Sequence, residues 1–250
     1  MTGAQHELRL LSLYPAQMNI YADRGNICFL RRRCEWRGIG FALAAAGPGE
    51  RFDPAAHDLI YVGGGQDRDQ AIVAADMVAT KREALAEAVE DGAVLLAVCG
   101  GYQLLGHSYQ LGDERLPGLG LADLETVREP GERLIGNVAI EVDLGDGPRV
   151  LAGFENHGGR THLGAGAEPL GRVLRGHGNN GRDRTEGVRR RNLIGTYLHG
   201  PLLPKNVWLA DRLIALALQR RYGQAVELAP LDDALEDAAH ASARKAAGLR

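Results

Sequence analysis

The stretch Leu95-Leu96-Ala97-Val98-Cys99-Gly100-Gly101-Tyr102-Gln103-Leu104-Leu105-Gly106 decides how the rest of the chain is read. Four aliphatic residues in a row make a buried strand, two glycines let the backbone reverse, and apolar residues then resume at helical spacing. The thiol of Cys99 stands at the apex of this strand, turn and helix. Small neighbours allow such a turn to close tightly and push the apical side chain past the sheet edge, as in the nucleophile elbow of serine hydrolases. N–H groups at the start of the following helix favour a thiolate, and the N–H of Gly100 is placed to stabilise an oxyanion. A cysteine standing alone is more often a buried packing residue. The glycines around Cys99 and the motifs on either side of it point to a reactive one.

Upstream, residues 69–90 are rich in Ala, Leu and Glu at amphipathic spacing and read as a long helix. Before them, residues 58–62 form a strand that runs straight into Gly63-Gly64-Gly65-Gln66-Asp67. Successive glycines at a strand end let the backbone approach a ligand and turn its N–H groups inward, which makes Gly64 and Gly65 candidate oxyanion donors with Gly100. No G-x-x-x-x-G-K-[ST] pattern follows, which argues against a phosphate loop. Residues 8–14 suit a first strand, and residues 15–25 a loop carrying Gln17, Asn19, Tyr21, Asp23 and Arg24. Residues 26–37 suit a helix with Ile27, Leu30 and Cys34 on one face and Arg31, Arg32 and Arg33 on the other. A short strand over residues 38–43 follows.

Downstream the helix from Gly101 is short, and from residue 116 to 191 brief alternating runs separated by glycines and charges read as antiparallel excursions. Within them, Gly153-Phe154-Glu155-Asn156-His157-Gly158-Gly159-Arg160-Thr161 concentrates polar groups, and His157 suits a loop-organising hydrogen bond better than acid/base work. Residues 192–198 make a last core strand that delivers His199, a base able to take the Cys99 proton. Residues 204–222 close the domain as a helix. The alternation predicts an α/β fold, a mostly parallel central sheet flanked by helices, with the active site outside the strand C-termini. One domain spans residues 1–250, with its core at 8–222 and a tail at 230–250 that is helical, flexible or docked on a partner.

Composition narrows the function. Lys and Arg number 29 against 32 Asp and Glu, a net charge of -3, which gives no reason to propose nucleic acid or an anionic membrane as partner. The three cysteines, Cys28, Cys34 and Cys99, fit neither a disulfide framework nor a zinc site and suggest a reducing compartment. No apolar run nears the roughly 18 residues that span a bilayer. The expected setting is cytoplasmic, with no metal bound.

Residues 98–106, the glycine triplet at 62–67 and Tyr197-Leu198-His199-Gly200-Pro201 together resemble the class I (triad) glutamine amidotransferases of the cobyric acid synthase type, with a flavodoxin-like core. Tyr14-Pro15, residues 19–26 and the block at 153–161 make the likeness strongest to the glutaminase subunits of lipid II isoglutaminyl synthases. The resemblance covers residues 8–222. It implies that Cys99 attacks the side-chain amide of L-glutamine, forms a glutamyl thioester and releases ammonia, with His199 as the proton carrier. It places substrate binding on Gln103 and on Arg133, with Arg128 as the competing arginine. It implies a heterodimer with a MurT-like, ATP-using Mur ligase that amidates the D-glutamate α-carboxyl of lipid II. ATP and Mg then belong to that partner, this chain carries no cofactor, and the complex reaches the inner face of the membrane through lipid II.

One departure stands out. Triad amidotransferases usually carry a glutamate two residues after the histidine, where this chain has Pro201. The missing carboxylate is expected from the partner, whose docking is sought at Arg31–Arg33 and the tail. The rival readings are a cobyric acid synthase-type glutaminase without its synthetase domain, a related Cys-His hydrolase, and a non-catalytic relative, which would be expected to have lost Cys99 or His199.

Overall fold

The computed structural model describes residues 6–20 and 23–249. Tyr21, counted above among the loop's polar residues, lies outside them. The aliphatic run of β1 (Glu7–Leu13) is buried from Leu10 onward. It is followed by α1 (Arg24–Trp36), whose Ile27, Leu30 and Cys34 face inward as their spacing predicts. Gly38, at φ +67°, closes that helix, so β2 (Gly40–Ala46) starts two residues later than the sequence suggests. The fully buried β3 (Leu59–Val62) comes next.

The helix expected over residues 69–90 is two segments, α2 (Asp67–Asp76) and α3 (Arg82–Glu90), joined by a π turn at Met77–Lys81. The wider turn carries Lys81 inward, where its Nζ donates to Asp76 Oδ2 at 2.6 Å and to the Gly47 carbonyl at 3.0 Å. β4 (Val94–Val98) then leads through Cys99 into α4 (Gly100–Gln103). That helix is a single turn. The carbonyls of Leu104, Leu105 and Gly106 accept from Leu119, Leu121 and Gly120, so the returning chain takes the bonds that helix propagation needs.

The expected antiparallel region builds two further four-stranded sheets. One holds β5 (Ser108–Leu111), β6 (Glu114–Pro117), β7 (Leu124–Arg128) and β10 (Gly159–Leu163), in the order β10-β7-β5-β6. The other holds β8 (Leu134–Asp143), β9 (Pro148–His157), β11 (Gly171–Arg175) and β12 (Thr185–Glu186), in the order β12-β11-β8-β9. All their pairs are antiparallel except β5 with β7. β13 (Val188–Arg190) and β14 (Leu193–Thr196) return to the core, α5 (Val207–Tyr222) covers it, and α6 (Ala234–Ala246) ends the chain.

The central sheet runs β13-β14-β4-β3-β1-β2, and every pair but β13 with β14 is parallel. Val62 aligns with Ala97, and Thr196 with Val98. The loops after β1, β3, β4 and β14 therefore emerge on one edge. α1 and α5 pack together on this sheet.

One surface expectation is corrected, and of the readings of the tail the helical one holds, as α6. Arg31 and Arg32 are exposed, but Arg33 is fully buried: Asp211 takes its Nε and Nη2 at 2.5 and 2.6 Å, and Asp233 its Nη1 at 2.5 Å. A buried guanidinium is tolerable only with partners of this kind. Those bonds also tie down the tail, which is neither loose nor free for a partner at Asp233. His240 Nδ1 donates to the Lys205 carbonyl at 2.7 Å, and Arg37 Nε to that of Ala229 at 2.7 Å. The tail docks on its own chain. No helix of the described residues is long and apolar enough to cross a membrane.

Candidate active site

Cys99 has φ +51° and ψ −106°, a backbone state that non-glycine residues rarely hold and that costs on the order of 1–3 kcal/mol. Its neighbours pin it there. The N–H of Cys99 donates to the Thr196 carbonyl at 2.8 Å on one side, and that of Gly101 to the Gly63 carbonyl at 3.1 Å on the other. The side chain is turned into a cleft at the sheet edge, which is the elbow geometry the sequence suggests.

His199 leaves the end of β14 and is fixed by two backbone bonds to Phe154 of β9, with its N–H donating at 2.8 Å. The buried ring stands close enough to Cys99 to feel its charge, and its Nδ1 stands 3.4 Å from Asp23 Oδ1. Burial pulls the imidazolium pKa down, but nearby Cys99 and Asp23 outweigh it and raise the pKa to about 10. His199 therefore rests as imidazolium beside Cys99.

Asp23 changes the expectation that the orienting carboxylate comes from a partner. It is fully buried, and the chain supplies it from the loop after β1. Sequence reasoning counted Asp23 among that loop's polar residues without a role; the only signal was a loop at the sheet edge, because residue 23 and residue 199 are far apart in sequence.

The oxyanion donors need one correction. Gly64 donates its N–H to Asp23 Oδ2 at 2.9 Å, so it is already committed. Among the described residues the N–H groups of Gly65 and Gly100 donate to no protein group, and a Cβ built on Gly100 would lie 3.1 Å from the Gly65 nitrogen. These two N–H groups stand together beside Cys99. Because α4 is one turn long, single N–H groups rather than a helix dipole act on the thiol.

The two arginines converge. Strand register puts Leu134, which follows Arg133, opposite His157, and Arg128 opposite Gly159. Between them the chain crosses from one antiparallel sheet to the other at Gly158. A Cβ there would lie 3.2 Å from Arg133 Nη1 and 3.3 Å from Arg128 Nη1. Arg133 is held by Asn156, its Nε donating to Oδ1 at 2.9 Å and its Nη2 to the carbonyl at 3.1 Å. Both guanidiniums face the cleft as a pair able to take a carboxylate.

Gln103 lines the same cleft, but its amide is engaged: Nε2 donates to Tyr197 Oη at 3.2 Å, and Oε1 accepts from Gln70 Nε2 at 3.3 Å. Tyr197 continues the chain of bonds to Thr161 at 2.6 Å, and Thr161 to Thr126 at 2.8 Å. His157 stacks on Tyr197 with ring centroids 3.5 Å apart and bonds the Gly159 carbonyl through Nδ1 at 2.8 Å, which is the loop-organising bond expected of it. Gln70, three residues past Asp67 on α2, had no sequence signal. The cleft is small. Another cleft, between the loop after β1, α1 and β2, is more apolar and holds neither Cys99 nor His199. Among the described residues no group of three or more His, Cys, Asp or Glu is arranged to hold a metal ion.

Residues 9–207 match the CobB/CobQ-like glutamine amidotransferase domain. The chain is 38% identical over 231 residues to the lipid II isoglutaminyl synthase (glutamine-hydrolyzing) subunit GatD of Streptococcus pneumoniae, covering 92% of this chain and 88% of that one. To the GatD subunit of Staphylococcus aureus it is 41% identical over 217 residues, covering 86% of each. To the cobyric acid synthase of Pelotomaculum thermopropionicum it is 32% identical, but it spans only 38% of that protein. Among solved structures, a chain of PurLQS from Thermotoga maritima has the same fold, with a TM-score of 0.55 at 18% identity over 86% of this chain and 96% of its own.

Proposed function

The chain belongs to the CobB/CobQ-like glutamine amidotransferase family, and from that premise we propose that it is the glutamine-hydrolysing subunit of a lipid II isoglutaminyl synthase. The observation that carries the chemistry is the line Cys99–His199–Asp23, set beside the uncommitted N–H groups of Gly65 and Gly100. The choice of synthase rests on the relatives. The chain matches the GatD subunits over nearly their whole length and the cobyric acid synthase over little more than a third.

The reaction follows from the geometry. The α-carboxylate of L-glutamine pairs with Arg133 and Arg128, and its carboxamide lies over Cys99. The thiolate attacks the carboxamide carbon, and the oxygen takes the charge while facing the N–H groups of Gly65 and Gly100. Each such donor is worth roughly 3 kcal/mol where measured. The carbon–nitrogen bond breaks as the His199 imidazolium gives its proton to the nitrogen, and ammonia leaves a glutamyl thioester on Cys99. Neutral His199 then takes a proton from water as its oxygen attacks the thioester, the carbon–sulfur bond breaks so that thiolate and imidazolium re-form, and the new γ-carboxyl gives its proton to solvent as glutamate leaves. Asp23 keeps Nδ1 protonated and the ring in place.

The ammonia passes to a MurT-like Mur ligase partner, which holds ATP and Mg and amidates the α-carboxyl of D-glutamate in lipid II on the cytoplasmic side of the membrane. The test is co-purification with such a ligase, followed by glutamine-dependent amidation of lipid II. Cys99→Ala and His199→Ala are expected to abolish ammonia release and product together, while supplied ammonium restores product in the Cys99→Ala complex. Ammonia release without an amidated lipid II would leave the family and overturn the synthase assignment.

A further inference from the structure

Two acceptors in the cleft have no donor to take. Gln70 Oε1 and His157 Nε2 are both buried and both lack a hydrogen-bond partner, and both residues line the cleft around Cys99. Buried polar atoms are normally paired, so bare acceptors in a ligand cleft mark places that a ligand's own donors fill.

The identity of each atom follows from its neighbours. The Gly65 carbonyl can only accept, so the Gln70 atom facing it at 3.4 Å is the nitrogen, which leaves the oxygen bare. The Gly159 carbonyl likewise can only accept, so the hydrogen of His157 sits on Nδ1. Burial, with Arg160, His199 and Arg133 nearby, pushes the His157 imidazolium down to about 3, so the ring is neutral and its Nε2 offers a lone pair.

The two acceptors have different neighbours in the cleft. A Cβ built on Gly100 would lie 2.1 Å from Gln70 Nε2, so the Gln70 amide rests against the turn that carries Cys99. His157 adjoins Gly158, where the Arg133 and Arg128 guanidiniums converge. The first group therefore combines an oxyanion site with an acceptor for the leaving group. The other combines a carboxylate site with an acceptor beside it, which is the pairing that an α-amino acid presents.

Resting on the glutaminase reading, we propose that Gln70 Oε1 accepts an N–H of the substrate's carboxamide and His157 Nε2 accepts an N–H of its α-ammonium, so that this pair selects a free amino acid carboxamide. A neutral imidazole suits an ammonium, whereas a charged one would repel it. Product glutamate presents an oxygen lone pair where the carboxamide N–H had been. It meets the Gln70 oxygen without a shared hydrogen, which favours its release.

Three substrates separate the two contacts: L-glutamine, its γ-methyl ester analogue, which has no N–H on the leaving group, and 4-carbamoylbutanoate, which has no α-ammonium. They are compared on the full chain, alone and with its co-purified partner. In Gln70→Met the ratio of kcat/KM on glutamine to that on the ester is expected to fall about tenfold or more, the size of one good hydrogen bond. In His157→Phe, which keeps an aromatic ring on Tyr197, the ratio of glutamine to 4-carbamoylbutanoate is expected to fall similarly while the glutamine-to-ester ratio holds. Should Gln70→Met not fold, Gln70→Asn withdraws the acceptor by one methylene and reads the same ratio. Parallel loss on all three substrates, or ratios equal to wild type, overturns the assignment. A wild-type chain and complex that act on none of the three would overturn the glutaminase reading and this pair with it.

Discussion

The parallel edge and the antiparallel sheets supply one cleft in different ways. On the parallel edge, Cys99, Gly65 and Gly100 are placed by the ends of adjacent buried strands, with backbone bonds at Cys99, Gly63 and Gly64 holding the turns. In the antiparallel sheets, Arg133, Arg128 and His157 are placed by register, which runs over ten pairs between β8 and β9 and five between β7 and β10. The two regions meet at His199, whose backbone pairs with Phe154 of β9. On the proposed reading the nucleophile and oxyanion donors sit at the ends of buried core strands, and substrate reading sits on the sheets outside that core.

That division is open to attack through kinetics, because catalytic and reading contacts should separate into kcat and KM. Asp23→Asn carries the largest expected effect of this kind. Without the carboxylate at Nδ1, His199 loses both its orientation and part of what holds its pKa near 10. We expect kcat to fall on the order of 10²-fold with KM little changed, and the alkaline limb of the pH–rate profile to move to lower pH, since the imidazolium then loses its proton sooner. The isolated chain and the complex should respond alike. If the complex keeps its wild-type profile, the partner supplies the orienting acid and Asp23 serves only to hold Gly64.

A smaller effect is expected on the other side of the comparison. Arg133→Met removes one of the two guanidiniums that converge beside Gly158. A charged hydrogen bond of roughly 1.5–3 kcal/mol corresponds to a rise in KM of about tenfold to a hundredfold, with kcat nearly kept. Arg128→Met should follow the same pattern to a lesser degree, because its partner is anchored by Asn156 at two points. A loss confined to kcat would show that the antiparallel sheets take part in the chemistry and would erase the distinction.

The same contrast explains what the sequence disclosed. Cys99, the glycine triplet and His199 were legible because each ends a short aliphatic run, and parallel strands that end together bring such residues to one edge. The parallel sheet with its flanking helices was legible for that reason too. Asp23, Gln70 and the convergence of the arginines were not, since they depend on a loop folding back over β3, on the direction of one helix, and on strand register. Arg33 misled because helical spacing cannot foresee Asp211 and Asp233 arriving from almost two hundred residues away. The Gly64 N–H misled because a glycine run does not show which of its donors a neighbouring carboxylate will claim.

The seam between the two regions gives the smallest effect and the finest test. Glu186, the last residue of β12, is fully buried and accepts from the Tyr197 N–H at 2.7 Å and from the Thr196 hydroxyl at 3.0 Å, two residues before His199. Burial drives its pKa up to about 8 against the opposing pull of those bonds, with the Glu155 charge adding to the rise. A carboxyl whose folded pKa exceeds the unfolded value of roughly 4.3 keeps a proton that the unfolded chain releases. Stability then declines as pH rises from about 4 to about 8 and levels off above that. Glu186→Gln keeps an acceptor and removes the titration. The variant and wild type should melt together near pH 4 and separate with rising pH, the variant gaining steadily up to about pH 8, followed by thermal melts across that range. A variant that melts lower at every pH would mean that Glu186 is ionised in the folded chain and that a charge, rather than a neutral hydrogen-bonded acid, joins the antiparallel sheets to the catalytic edge.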